Sequence, residues 1–523
     1  MTSYRYSKVI SCALYGITGV KVEIEVSILP GLSSFEIVGL GDSAIRESRN
    51  RVHAAIKNNS YEFPNGRIIV GMAPGFIRKE GTAFDLPIAI GILIASRQIS
   101  QPSKPVCITG EMSLKGEVRS IPGSINRILT ARSEGIQQMI IPFYNLNESS
   151  GIENIQVIGV RTLSETIELL ETKTPWPDQS HLIPSRDQTN SSIRDISSIV
   201  GQPLGIRALQ IAAAGRHNLL MTGSPGCGKT SLAGILPGLL PCLDQEEKIE
   251  VAKIYSSCGL LKAGDSILHG RPFRAPHHNA TLASITGGGS YPIPGEITLA
   301  HHGNLFLDEI NEFPAAMLDM LRQPMEEQKI RIARCKYSME YPADFILVGA
   351  MNPCRCGYML ERDHRNPCTC SLQSIEKHFA NISGPVMDRM DLYVELTKVC
   401  SQELNHSIQE SKADCSRTVR ENVEKAWNVQ RNRCLKHEVR PMLNSRLPSG
   451  QISTVFELSG EVLKFAANAS EKLDLSVRGY QKMLRIARTI ADYDGDEVLT
   501  ANHIAQALQF RKKQGTGDCK HGA

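Results

Sequence analysis

Apolar and polar positions along the first third of the chain fall into short β-branched runs separated by helix-spaced stretches. Val20–Ile28, Phe35–Val38, Arg67–Gly71 and Met139–Pro142 read as strands, while Ser43–Lys57 and Asn126–Gly135 carry the helical period. Strands interleaved with helices over residues 1–170 predict an α/β or α+β unit. Residues 171–194 are polar, proline-bearing and aperiodic, which predicts a linker. Strand and helix alternate again over 195–397. From 398 to 515 the pattern is charged and helix-periodic with few strand candidates, predicting an all-helical lid, and 516–523 reads as a flexible tail. The longest apolar stretch, Leu86–Ala95, carries Pro87 and Gly91 and falls well short of the ~20 residues that span a bilayer, so no membrane segment is expected. No solenoid repeat or low-complexity tract interrupts this order.

Composition changes that picture little. The chain has 523 residues, enough for about three or four domains, and its 58 basic and 54 acidic residues leave a net charge of +4. No global polycation is available, so any nucleic-acid contact must come from local placement of charge. Fourteen cysteines would suggest a disulfide framework in a small secreted chain, but the N-terminal MTSYRYSKVISCALYG has no apolar signal core. The expectation is a cytoplasmic protein with reduced thiols.

The most specific chemistry begins at Asn218–Thr222, a short buried-type strand. It is followed at once by Gly223-Ser224-Pro225-Gly226-Cys227-Gly228-Lys229-Thr230-Ser231 and a helical run. This is G-x-x-x-x-G-K-[ST] in its strand–loop–helix setting. Glycines let backbone N–H groups turn toward phosphate oxygens at a helix N-terminus, where the dipole favours negative charge. Lys229 would bridge the β- and γ-phosphates of ATP, and Thr230 would bind Mg²⁺. Downstream, Asn304-Leu-Phe-Leu ends in Asp308 and Glu309. Asp308 can hold the hydrated Mg²⁺, and Glu309 can orient or deprotonate the attacking water. A third strand, Phe345–Met351, ends at Asn352, whose amide can bind the γ-phosphate or its water without adding charge. Arg389 follows a short helix, and Arg478 opens a helix of the C-terminal part. Hydrolysis needs positive charge on the equatorial oxygens, and one route is an arginine from a neighbouring subunit. One chain has no evident use for both arginines, which predicts oligomerisation; each could also be a packing ion pair.

Two C-x-C pairs, Cys354/Cys356 and Cys368/Cys370, flank His364. Four thiols at such spacing fit a structural Zn²⁺ clip, with His364 or His378 as possible replacement ligands. Reduced loop thiols and redox pairing are the alternatives. The pairs His277-His278 and His301-His302 read as strand neighbours pointing to opposite faces, so neither is expected to chelate a metal.

Together these residues resemble an AAA+ ATPase of the magnesium-chelatase-like class, and most closely the ComM/YifB family. The resemblance rests on Arg271-Pro-Phe-Arg-Ala-Pro-His-His278, Gly287-Gly-Gly-Ser, Pro294-Gly-Glu-Ile-Thr-Leu-Ala-His-His302-Gly-Asn-Leu-Phe-Leu-Asp-Glu309, His217-Asn-Leu-Leu and Ala350-Met-Asn-Pro-Cys354. In the N-terminal part it rests on Lys79-Glu-Gly-Thr-Ala-Phe-Asp-Leu-Pro-Ile-Ala. It implies that Lys229 and Thr230 serve as Walker A, Asp308 and Glu309 as Walker B, Asn352 as sensor 1, Arg389 as arginine finger and Arg478 as sensor 2. Val200 and Gly201 would pack on adenine. Residues near 271–290 resemble a helix-2 insert, and Lys329–Ala343 the hairpin before sensor 1. In related hexamers these line a pore, and here the hairpin offers Lys329, Arg331, Arg334 and Lys336 to DNA phosphates.

The N-terminal part resembles the Lon-protease fold. A Lon-type dyad needs a serine and a lysine. At the matching positions this chain reads Glu80-Gly-Thr-Ala-Phe-Asp85 and Pro122-Gly-Ser-Ile125, so no peptidase activity is expected; Thr82 or Ser124 with Lys79 is a remote alternative. The family resemblance implies a homo-oligomeric, hexameric ring that moves branched or single-stranded DNA during recombination of incoming DNA, working with recombination proteins. A chelatase motor subunit and a protein-remodelling factor are the competing readings. The Lon-like unit, which chelatase motors are expected to lack, speaks against the first.

Overall fold

A computed structural model describes residues 5–39, 43–75, 79, 81–172, 175–177, 179, 194–261, 270–289, 292–334, 337–360, 367–398 and 415–511. Most of the expected linker, His364, Lys336 and the tail at 516–523 lie outside the described residues. The chain divides into two compact units, one of residues 1–189 with 244–269, the other of 190–243 with 270–523. This differs from the sequence-drawn boundaries in two ways. Residues 244–261, expected inside the second α/β domain, fold with the first unit, and the C-terminal helices share a unit with the domain they follow.

The first unit is built on a mixed seven-stranded sheet. Its strands run in the order Ser34–Val38, Arg67–Ala73, Thr18–Leu29, Arg5–Tyr15, Val106–Ile108, Gln138–Pro142 and Gln156–Val160. Four of these are the strands read from the apolar pattern. Thr18–Leu29 shows why: Val22, Ile24 and Val26 are fully buried, while Lys21, Glu23 and Glu25 alternate with them. The central strand Arg5–Tyr15 escapes the pattern because two of its buried positions are serines, Ser7 and Ser11. Ser7 Oγ donates to Gly91 O at 2.6 Å, so its polar atom is satisfied where an apolar residue would otherwise sit. The strand turns into Thr18–Leu29 through Gly16, whose φ of 64° supplies the left-handed conformation a two-residue turn requires.

The apolar stretch noted above is the helix Asp85–Ala95, buried along its whole length. Gly91 permits its close approach to the sheet, since a Cβ there would lie 2.7 Å from Val26 Cγ2. Among the described residues no helix is long and apolar enough to cross a membrane. The helix Gln245–Ser257 starts with a capping box between Asp244 and Glu247 and packs Ala252 among Ile125, Ile128 and Ala131. Glu148 fastens it: its carboxylate accepts from Ser256 Oγ, from Ile125 N–H at 3.2 Å and from Asn145 Nδ2 at 2.6 Å.

The second unit holds a five-stranded parallel sheet in the order Phe273–Arg274, Asn304–Leu307, Ile346–Met351, Leu219–Gly223, Leu392–Leu396. The two strands Asn304–Leu307 and Ile346–Met351 are buried at every position, as expected of a parallel sheet covered on both faces. The helices Pro203–Gly215, Lys229–Leu239, Ser416–Lys436, Val477–Asp494 and Ala501–Gln509 contribute to one continuous apolar core. Trp427 Nε1 and Gln430 Nε2 donate to the carbonyls of Ala213 and Ala214 at 3.0 and 2.9 Å, which ties the C-terminal helices to the α/β core.

Two carboxylates sit where the strands begin. Asp391 meets Lys482 at 3.2 Å, His217 at 3.4 Å and the N–H of Asn218 at 3.1 Å. Asp344 meets Arg216 at 3.2 Å and Arg446 at 2.8 Å. Burial pushes both carboxyls up, but these partners outweigh it and hold each well below the usual carboxylate range. A depressed pKa stabilises the fold above the unfolded value of about 3.9 and loses that stabilisation as pH falls through the folded value. The second unit is therefore expected to weaken progressively below about pH 4. Asp391→Asn should cost about 3 kcal/mol at neutral pH and flatten this acid limb, read from urea midpoints across the pH range.

Candidate functional site

The phosphate-loop strand Leu219–Gly223 lies between Ile346–Met351 and Leu392–Leu396, and the loop after it turns on two glycines in the left-handed region, Gly226 (φ 79°) and Gly228 (φ 92°). A Cβ at either would meet nothing within 4 Å, so backbone conformation, not crowding, is what requires glycine there. Lys229 opens the helix Lys229–Leu239 with Gly228 as N-cap. Its ammonium is buried and donates to Gly223 O at 2.6 Å, Ser224 O at 3.1 Å and Asn352 Oδ1 at 3.1 Å. Thr230 Oγ1 donates to Asp308 Oδ2 at 2.9 Å. Four residues drawn from three separate sequence motifs thus converge by direct bonds at one end of the sheet.

Glu309 stands beside them, half-exposed, at φ 50°, a conformation uncommon for a residue with a Cβ. Its Oε2 lies 3.6 Å from Nδ1 of His278. Sequence reading gave His278 no partner. The position follows from a short strand before it: Phe273 and Arg274 pair in parallel with Asn304 and Leu305, which carries the following residues along the same edge toward Glu309. The adjacent histidines also correct an expectation. They lie in irregular backbone and turns rather than on strands, and their rings face each other at 4.1 Å for His277 and His278 and 3.9 Å for His301 and His302.

Val200 and Gly201 are brought to the loop through the next residue, Gln202. Its Nε2 donates to Cys227 O at 3.2 Å and to Thr397 O at 2.6 Å. Ser231 Oγ accepts from Arg194 at 3.3 Å.

The two arginines lie elsewhere. Arg389 donates to Glu326 Oε1 and Pro385 O, both at 2.6 Å, and Arg478 meets Asp388 at 3.2 Å. Leu392 is in register with Leu219, and Asn218 Nδ2 donates to Arg389 O at 3.2 Å. Both arginines therefore sit where these strands start, about 15 Å of strand away from the loop that follows their ends.

The hairpin Lys329–Arg334 with Tyr337–Pro342 has the expected form, but its charge differs from the expected patch. Glu340, opposite Arg331 in the register, accepts from Lys329 at 2.6 Å and from Arg331 at 2.9 Å. Two of the four cations are thus ion-paired within the hairpin; the Arg334 side chain and Lys336 lie outside the described residues. Tyr341 Oη donates to Pro292 O at 2.6 Å, joining hairpin and insert.

Cys354, Cys356, Cys368 and Cys370 come together, every pair of Sγ atoms within 4.8 Å. Burial opposes ionisation of Cys356, but the N–H groups of Tyr358 and Thr369 draw its thiol below the usual range. In the first unit, Lys79 donates to Pro74 O, Thr82 to Glu111, and Ser124 to Ile121 O, so each candidate dyad member has a different partner.

Comparison with known proteins follows the same lines. Residues 195–404 match the family described as magnesium chelatase, subunit ChlI, and 413–511 match its C-terminal family. Competence protein ComM of Haemophilus influenzae is 38% identical over 509 residues, 96% of this chain and 97% of its own. The uncharacterized YifB protein of Escherichia coli is 36% identical over 507 residues, 95% of this chain and 96% of its own. The chain belongs to the ComM/YifB family of magnesium-chelatase-like AAA+ proteins. For a ComM/YifB protein, ATP and Mg²⁺ are the implied cofactors, and the residues present fit them: open glycines, a buried ammonium and a hydroxyl–carboxylate pair at a helix N-terminus.

The Lon-like character of the first unit is matched by the Lon protease of Endomicrobium trichonymphae, 27% identical over 170 residues, 30% of this chain and 21% of that protease. Residues 24–145 also match a family described as subunit ChlI of Mg-chelatase. Contrary to the expectation from sequence, this unit therefore does not by itself separate a ComM/YifB protein from a chelatase motor.

Two glycines that flank the loop, Gly223 at the end of the strand and Gly234 inside the helix Lys229–Leu239, can be told apart by mutation. A Cβ at Gly223 would lie 2.7 Å from Leu396 O and 2.6 Å from Cys227 Sγ, whereas one at Gly234 meets nothing within 4 Å. Gly223→Ala should destabilise by about 1–3 kcal/mol. Gly234→Ala should be neutral or stabilise by up to about 1 kcal/mol, with denaturation midpoints as the measurement.

Proposed function

We propose that the chain is an ATP-hydrolysing ring motor acting on DNA, promoting branch migration and strand integration of incoming DNA in natural transformation. The observation that carries hydrolysis is the convergence of Lys229, Thr230, Asp308 and Asn352 at one edge of the sheet, with Glu309 beside them. MgATP supplies a phosphoryl group whose departing charge is spread over its oxygens. Lys229 holds positive charge against those oxygens, Thr230 and Asp308 hold the metal's ligand sphere, and Asn352 orients a neutral dipole toward the same point. Glu309 accepts a proton from the attacking water, and His278 at 3.6 Å limits where its carboxylate can swing.

The position of Arg389 and Arg478 supports assembly. They lie at the start of the strands, too far to reach their own chain's loop, so their use in catalysis requires a neighbouring copy. A closed ring, six-membered as in related motors, gives every loop such an arginine. The DNA reading draws on the printed name of the Haemophilus influenzae relative, a competence protein, and on the hairpin. The Lys329–Glu340 and Arg331–Glu340 pairs are surface pairs worth little, so phosphate can exchange for Glu340 at small cost. The work belongs in the cytoplasm, alongside recombination proteins. The chelatase reading draws on the matched family descriptions and remains the alternative for the same engine.

ATP hydrolysis should rise on adding forked or four-way DNA, and branch movement should require ATP. Lys229→Ala and Glu309→Gln should each lower hydrolysis by about 100-fold or more, the second with nucleotide binding retained. Arg389→Ala should lower it by about 1,000-fold. Mixing Arg389→Ala with Lys229→Ala chains should recover part of the rate, because some interfaces then pair an intact loop with an intact arginine. No DNA stimulation and no strand movement would sink the DNA reading, and no recovery on mixing would sink the shared site.

A further inference from the structure

The two C-x-C pairs are the feature that nucleotide chemistry leaves unused. Their sulfurs are separated by 3.3 Å for Cys354 and Cys356, 3.5 Å for Cys356 and Cys368, and 3.7 Å for Cys354 and Cys368. Cys370 Sγ lies within 4.8 Å of the other three. A tetrahedron of thiolates about 2.3 Å from a metal has edges of about 3.8 Å, whereas a disulfide draws two sulfurs to about 2.0 Å. The spacing is that of a four-thiolate metal site, and all four cysteines are free. His378, a candidate replacement ligand by sequence, is engaged elsewhere: its Nε2 lies 3.2 Å from Asn352 O and its ring meets Asn311 Nδ2.

The surroundings say what such a site would hold. Cys354 and Cys356 follow Asn352 directly, at the tip of the buried strand Ile346–Met351. Cys368 and Cys370 immediately precede the helix Leu372–Ala380, which carries His378. Through His378 that helix bonds the carbonyl of Asn352 and the side chain of Asn311, two residues beyond Glu309, and Asn381 Nδ2 donates to Asn311 O at 2.9 Å. Between the cysteines, Gly357 (φ 87°) lies so close to the phosphate loop that a Cβ there would stand 2.7 Å from Pro225 Cδ.

We propose that Cys354, Cys356, Cys368 and Cys370 bind one structural zinc ion, and that this clip fixes Asn352 and the helix Leu372–Ala380 against the phosphate loop. Thiolates alone form the donor set, which selects a soft tetrahedral ion, and four protein ligands leave no position open for substrate. The ion takes no part in hydrolysis; it closes the loop after the third strand so that the amide of Asn352 stays on Lys229. Asn352 touches the site directly, and the four cysteines are positioning residues acting through it. The positioning half rests on the nucleotide reading; the metal half does not.

The full chain, purified in reductant without chelators or metal-affinity resin, should carry about one zinc per chain. Replacing zinc with Co²⁺ should give the visible d–d bands of a tetrahedral thiolate site. Cys368→Ser/Cys370→Ser should lose the metal while Cys415→Ser, at an exposed cysteine, keeps it. The zinc-free double variant should hydrolyse ATP about 10- to 100-fold more slowly, and Cys370→His should restore both metal and rate. Folded wild-type chain that takes up neither zinc nor Co²⁺, that holds iron, or whose cysteines are joined as disulfides overturns the site. Zinc whose removal leaves kcat and KM for ATP unchanged overturns the clip's role. Stoichiometric zinc in a wild-type chain with no ATPase activity supports the site and counts against the nucleotide reading instead.

Discussion

The parallel register of one strand pair governs the rest of the second unit. Leu219 to Thr222 run alongside Val348 to Met351, residue for residue, with Asn304–Leu307 next in line. Because all three strands point the same way, their C-terminal ends release the phosphate loop, the Asp308-Glu309 pair and Asn352 at one edge, the place where open parallel sheets bind ligands. A slip of one residue in this register would move Asn352 off Lys229 and turn buried apolar side chains toward the wrong face. The same parallel direction sends everything that precedes the strands, including Arg389, to the opposite edge. One constraint thus gathers Lys229, Thr230, Asp308 and Asn352 at one edge and sends Arg389 to the other.

The opposite edge is held by charge as well as by apolar packing. Lys482, from the C-terminal helix Val477–Asp494, meets Asp391 and donates to the carbonyls of Asp388 and Met390, on either side of Arg389. Arg446 and Arg216 do the same for Asp344 ahead of the strand that ends in Asn352. Such buried pairs contribute little net stability over apolar replacements, yet breaking one leaves a stranded charge. They tie the C-terminal helices to the segment that carries Arg389.

How much of this could be read from the chain depends on whether a feature is local. The phosphate loop, the carboxylate pair and the strand before Asn352 were legible because each is an apolar run ending in a residue type with few alternative uses. The strand Arg5–Tyr15 was not, because Ser7 and Ser11 occupy buried positions and erase the alternation that marks a strand. The partnership of His278 with Glu309 depends on which strand lies at the sheet edge, and the sorting of Gln245–Ser257 into the first unit depends on Glu148, about 100 residues away in the chain. Neither leaves a periodic trace. Glu340 was missed for a simpler reason: the cations of the hairpin were counted without the carboxylate that the antiparallel register sets opposite Arg331.

Lys229 shows what such an arrangement offers to an anion. Its ammonium is buried, and it donates to the neutral oxygens of Gly223, Ser224 and Asn352 and, at 3.9 Å, to the sulfur of Cys227. A carboxylate would satisfy a buried cation better, and among the described residues none is ion-paired with it. Among the described residues the charge is therefore met by dipoles alone. An anion entering at the helix N-terminus supplies the missing countercharge and replaces the loop carbonyls as acceptors, whereas a neutral ligand gains nothing by doing so. Asn352 fits this logic in the same way: an amide in place of Asp at that strand tip holds the lysine without adding a charge that would repel an incoming anion.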